Sequence, residues 1–140
     1  MSYQLILERA LACFADPSRR YEYFQLYSDD ILLHGYGPIK PGLENIKQFY
    51  YAFWDVFPDA RVTAQEMIEQ DNILAVRHLT TGTQQKSFLG VPATGKSVAL
   101  PGISVLHFRG DRCFERWTCS DSLLLLSQIG GWPTRTPAAG

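Results

Sequence analysis

The hydrophobic period of this chain changes at Pro58, and that change restricts the fold more than any other feature. Ahead of it, Leu43, Ile46, Tyr50, Phe53 and Phe57 recur at i, i+3, i+4 and i+7, the spacing of one helical face, while Glu44, Asn45, Lys47, Gln48 and Asp55 lie elsewhere. Further upstream, Leu5, Leu7, Leu11 and Phe14 predict a helix over residues 4–15. Asp16 and Pro17 form an N-cap and first-turn pair for a second helix reaching about Tyr27. Residues 31–34 read as a brief strand ended by Gly35, Gly37 and Pro38. Beyond Pro58 the period is two. Strand-like runs occupy residues 60–69, 73–83, 97–109 and 112–119, separated by Asp71 and Asn72, by a Gly/Pro loop, and by Gly110 and Asp111. Asp121 then stands where an N-cap belongs, and a short helix over 123–129 ends at Gly130 and Gly131.

Helices first and an antiparallel meander afterwards imply an α+β fold in which helices pack on one face of a strongly curved sheet. Such a sheet makes a cone whose apolar interior is the default site for a small molecule. One domain is expected over residues 1–132, with 133–140 a flexible tail. A chain of 140 residues buries about two-thirds of its unfolded surface, and with 46% hydrophobic and 13% aromatic residues this one has material for both a core and a cavity lining.

Thirteen basic residues against fourteen acidic ones, with no basic run interleaved with aromatics, leave no electrostatic footprint for nucleic acid. The first residues carry no basic leader, and no apolar run reaches the roughly 18 residues of a membrane span, so a soluble, cytoplasmic protein without a membrane partner is expected. Cys13, Cys113 and Cys119 lack CxxC spacing and read as three small core residues. No His, Cys or carboxylate cluster has ligand spacing, so neither metal nor cofactor is expected.

Four stretches, HGYGPIKPGLENIKQFY, the FPD after the helix, GTQQKSFLGVPATGKSV and ERWTCSDSLLLLSQIG, occur in an order and spacing that resembles the SnoaL-like polyketide cyclases of the nuclear transport factor 2 superfamily. The resemblance implies a cone-shaped fold and cofactor-independent chemistry, in which a carboxylate on the last strand and a histidine on the strand before it move a proton beside a carbonyl. In this chain those two positions fall on Thr118 and Ser104. Hydroxyls are weak bases without an activating neighbour. The resemblance therefore points to a cyclase or isomerase-like protein acting on a hydrophobic, carbonyl-bearing molecule. The alternative is a non-catalytic carrier of the same fold.

His34 lies where the resemblance expects a histidine near the pocket mouth; it is either a proton-transfer group or a satisfied structural side chain. Arg116 could stabilise an enolate oxygen or bind a carboxylate, or else form a salt bridge. Trp54, Phe88, Ser104, Leu106, Phe114 and Thr118 are candidate substrate contacts. His78 is a weaker candidate, expected in solvent or at an interface. Asp121 and His107 would replace the missing pair only if they faced the pocket. A three-residue loop of Arg109, Gly110 and Asp111 is expected, because a two-residue turn would set Arg109 against Arg112. That loop pairs Ser104 with Arg116, Leu106 with Phe114 and Gly102 with Thr118. It leaves Ile103, Val105, His107, Glu115 and Trp117 on an outer apolar face for a second copy of the chain to cover, giving a homodimer.

Overall fold

The computed structural model describes residues 2–131; the expected tail at 133–140 lies outside them. Helix α1 (Tyr3–Phe14) opens the chain, followed by a single turn α2 (Arg20–Tyr23), a 3-10 turn (Phe24–Leu26) and strand β1 (Tyr27–His34). Helix α3 (Leu43–Val56) precedes four strands, β2 (Arg61–Gln70), β3 (Ile73–Thr83), β4 (Ser97–Arg109) and β5 (Arg112–Ser120), and α4 (Ser122–Gln128) closes the fold. The second helix is shorter than its sequence predicts and β1 starts earlier, since Tyr27 is already paired with Cys113 of β5. Tertiary pairing overrides the local helical tendency there.

One curved sheet has the order β1-β5-β4-β3-β2. Strands β2 to β5 are the expected antiparallel meander, but β1 joins β5 in parallel, setting Leu33 beside Arg116 and His34 beside Trp117. An all-antiparallel sheet is thereby corrected. The chain crosses α3 and three more strands between β1 and β5, a connection long enough for a parallel return. Register shifts in β2 between Ala64 and Glu66 and in the β4–β5 hairpin beyond His107 add an extra residue to one strand, and such bulges increase local twist and bend.

The helices lie over the concave face. Ser2 caps α1 by accepting from the Leu5 amide at 3.2 Å, and Tyr3 stacks on Phe108 of β4 with ring centroids 4.2 Å apart. Phe14, Tyr23, Tyr50 and Trp54 pack ring against ring, so that α1, α2 and α3 share one aromatic core. Among the described residues no helix is long and apolar enough to cross a membrane. Cys13 and Cys113 are buried as expected, whereas Cys119 is exposed on the outer sheet face, on the same side as Trp117.

Candidate functional site

The β4–β5 hairpin decides which side chains meet inside the cone. Its turn has two residues, Gly110 and Asp111, with Gly110 at φ 61°, and Arg109 does stand opposite Arg112. The like-charge conflict that argued for a longer loop is relieved from outside the hairpin. Arg109 donates to both carboxylate oxygens of Asp30, at 2.8 and 3.0 Å, and Arg112 donates to the Tyr27 carbonyl at 3.3 Å. Past the turn, Phe108 pairs with Cys113 and His107 with Glu115, which leaves Phe114 as the extra, bulged residue. The register beyond it sets Ser104 opposite Thr118 and Leu106 opposite Arg116, two residues away from the pairing expected. Side chains alternate with period two, so a slip of two preserves the faces.

Phe114 is the exception. Placed by the bulge, it packs on the outer side against His107 and beneath the Arg109 guanidinium, which lies 5.0 Å from its ring, and Cys113 takes the buried position instead. Leu106 is fully buried in the core. Trp54 is buried among Phe14, Tyr23 and Tyr50, and its indole N–H has no hydrogen-bond partner. Phe88, in the loop between β3 and β4, packs on Phe53 and Phe57 rather than near Arg116's hydrogen-bonding partners.

Arg116 is the centre of the interior, only 5% exposed. Its Nη1 donates to the Tyr27 hydroxyl at 2.8 Å and to that of Tyr23 at 3.5 Å; Nη2 donates to Ser104 Oγ at 3.0 Å and Nε to Thr118 Oγ1 at 3.3 Å. No Asp or Glu among the described residues forms an ion pair with it. Burial works against the charge, yet a guanidinium keeps its proton in proteins, and the hydroxyl oxygens it donates to offset the lost hydration. Burial in turn pushes the hydroxyls of Tyr23, Tyr27, Tyr36 and Tyr50 above their ordinary range, against the pull of Arg116, so all four stay protonated at neutral pH. A buried charge is ordinarily matched by an opposite one. Here the partners are neutral hydroxyls.

His78 completes the group. It shares the inward parity of Leu74 and Val76 on β3, is 5% exposed, and its Nε2 lies 2.8 Å from Ser104 Oγ. Solvent or an interface was its expected place; the interior is where it lies. Gly102, its neighbour on β4, makes the room: a Cβ there would sit 2.7 Å from His78 Cε1. Nδ1 is buried without a partner, and burial, reinforced by Arg116, lowers the imidazole pKa to about 4. The ring is therefore neutral at physiological pH. Ser104 Oγ is 2.7 Å from Thr118 Oγ1, which in turn lies 2.8 Å from the Tyr36 hydroxyl.

The structure does not bring His34 and Arg116 together. His34 sits on the opposite sheet face, 2.8 Å from Glu115 and stacked on Trp117 at 5.1 Å between centroids, in an open groove of about 490 Å³ also lined by Gly35, Ile103, Val105, Thr118 and Cys119. His107 is on that outer face too, 4.7 Å from Trp117. Asp121 caps α4, accepting from the Leu124 amide at 3.0 Å. Among the described residues no three His, Cys, Asp or Glu side chains converge to hold a metal. Tyr23, Tyr27 and Tyr36 went unnoticed in the sequence because the first two fall in a stretch that reads as helix and the third in a Gly/Pro loop.

The family model described as SnoaL-like polyketide cyclase matches residues 6–129. The chain belongs to the SnoaL-like polyketide cyclase family. The same fold occurs in TsrD from Streptomyces laurentii, at 19% identity over 92% of this chain and 95% of that one, with a TM-score of 0.80. IdmH from Streptomyces antibioticus, a candidate polyketide cyclase, is 24% identical over 93% and 99% of the two chains, with a TM-score of 0.79. AclR from Streptomyces galilaeus, a candidate hydroxylase, is 20% identical over 94% and 97%, with a TM-score of 0.80. No curated protein matches by sequence. At these identities the structural likeness establishes the cone-shaped fold; chemistry has to come from the site.

Proposed function

We propose that this SnoaL-family chain is a cofactor-independent cyclase or isomerase for a hydrophobic, carbonyl-bearing molecule, with the buried face of β3, β4 and β5 as its site. The observation that carries this reading is Arg116, a guanidinium sealed among hydroxyls without a carboxylate among the described residues. Its positive potential gains most when negative charge develops nearby, as on a carbonyl oxygen while the adjacent C–H is deprotonated. Neutral His78 has a buried Nδ1 with no partner, an arrangement suited to accepting that proton. Tyr50 and Trp54, ring against ring in the aromatic core, favour an apolar ligand.

A non-catalytic carrier is the second reading, supported by hydroxyls at 104 and 118 where the family resemblance calls for a histidine and a carboxylate. Deuterium uptake separates the two. With benzoylacetone as probe in D2O, followed by proton NMR, the wild-type protein should speed exchange of the carbon-bound protons above the buffer rate. His78→Gln should remove roughly a hundredfold or more of that acceleration, the usual share of a general base. Probe binding with exchange at the buffer rate would favour the carrier.

The exposed Ile103, Trp117 and Cys119 lie side by side on the outer sheet face. We propose that a second copy of the chain covers them, since a contiguous apolar patch is costly to leave in water.

A further inference from the structure

We propose that Tyr36, Thr118, Ser104 and His78 form a two-state proton relay, so that this chain removes one proton and delivers another without forming a charged imidazole. The inference rests on the enolising reading above and adds the residues that move the proton. The spacings are 2.8 Å from Tyr36 Oη to Thr118 Oγ1, 2.7 Å from there to Ser104 Oγ, and 2.8 Å from Ser104 to His78 Nε2. Each hydroxyl has one proton to donate and two lone pairs.

Arg116 takes one lone pair from each of the two middle hydroxyls, through Nη2 on Ser104 and Nε on Thr118. Ser104 and Thr118 are then each left with one donor and one acceptor for two remaining neighbours. The chain has only two consistent arrangements. In one, His78 Nε2–H donates to Ser104, Ser104 to Thr118 and Thr118 to Tyr36, and Nδ1 presents a lone pair. In the other, every bond is reversed and Nδ1 carries the hydrogen. Nδ1, buried and without a hydrogen-bond partner, is the last atom of the relay.

In the first arrangement, Nδ1 accepts the proton of a C–H bond beside a carbonyl. The C–H electron pair becomes the C=C bond of the enol, and the carbonyl π pair moves to oxygen. That oxygen takes the Tyr36 proton, Tyr36 is refilled from Thr118, Thr118 from Ser104 and Ser104 from Nε2. No net charge appears on the protein, which suits an imidazole held far from protonation beside Arg116. Cyclisation runs the chain backwards. As the enol carbon bonds to a second carbonyl carbon, the enol O–H proton returns to Tyr36 and the new alkoxide takes the proton from Nδ1–H.

Thr118→Val and Thr118→Ser test this, read by nitrogen-15 NMR of the His78 ring and by benzoylacetone exchange. The wild-type ring should populate both tautomers. In Thr118→Val a Ser104 hydroxyl that accepted from Nε2–H would have nowhere to donate, so the ring should shift to the Nδ1–H form, and exchange should fall roughly a hundredfold. Thr118→Ser restores the hydroxyl and should restore both signals. The same tautomer in wild type and Thr118→Val would overturn the relay, as would, in a wild-type protein that exchanges benzoylacetone above the buffer rate, an undiminished rate in Thr118→Val or a Thr118→Ser protein as slow as the valine variant. Because the tautomer signal needs no turnover, a wild-type protein that responds in NMR but does not exchange benzoylacetone would refute the enzymatic reading and leave the relay standing.

Discussion

At the scale of single residues the interior is governed by one imbalance, a permanent cation surrounded by groups that resist ionisation. His78 feels it most directly. Its folded pKa of about 4 lies below the ordinary 6.5. Between those values the unfolded chain binds a proton that the native protein excludes, so native stability falls as pH drops through that window and levels off below it. The full shift corresponds to on the order of 3 kcal/mol. Urea unfolding at about pH 7 and about pH 4.5 should therefore give a lower midpoint at the acid value, and His78→Gln should flatten that difference, since glutamine does not titrate. An equal acid loss in the glutamine variant would assign the effect to other groups.

Elements succeed here where their periodicity is strong and fail where a partner strand intervenes. The period-two runs after Pro58 matched β2 to β5 closely because alternation on a half-buried sheet is enforced by the core. Neither the length of β1 nor its parallel pairing was legible, since both depend on β5, some 80 residues away. The hairpin was misread for a related reason. Arg109 facing Arg112 looks unfavourable in sequence, and only the fold reveals Asp30 and the Tyr27 carbonyl as their partners. His78, expected in solvent or at an interface, lies inside instead, the side to which its parity with Leu74 and Val76 points. Its hydrogen-bonding partner was not legible, because Ser104 lies on β4. Gly102 ties the two strands together at that point: an added Cβ would lie 2.7 Å from His78 Cε1 and 2.8 Å from Ser120 Oγ. Gly102→Ala should then displace the imidazole, costing about 1–3 kcal/mol of stability as overpacking and lowering exchange of benzoylacetone together with the Nε2–H signal. A variant with native melting behaviour and unchanged ring resonances would show that the strands accommodate the methyl group freely.

For the whole molecule, the sheet divides two chemistries. Its concave face carries the hydroxyl and guanidinium network, and its convex face carries Ile103, Val105, His107 and Trp117 with His34 stacked beside them. Ile103 is 56% exposed and Trp117 38% exposed in the single chain, large apolar surfaces that no helix among the described residues covers. A second copy presenting the same face would bury both sets at once, with each residue meeting its symmetry mate or a near neighbour. Light scattering at micromolar concentration should accordingly give twice the mass of one chain. Ile103→Glu and Trp117→Glu put a charge into that contact and should yield monomers, whereas Glu44→Gln, on exposed helix surface, should not. Because side chains alternate across the sheet, the monomeric variants should retain the His78 ring resonances of the wild type; a wild-type protein already at the mass of one chain would leave the convex face without a second copy to cover it.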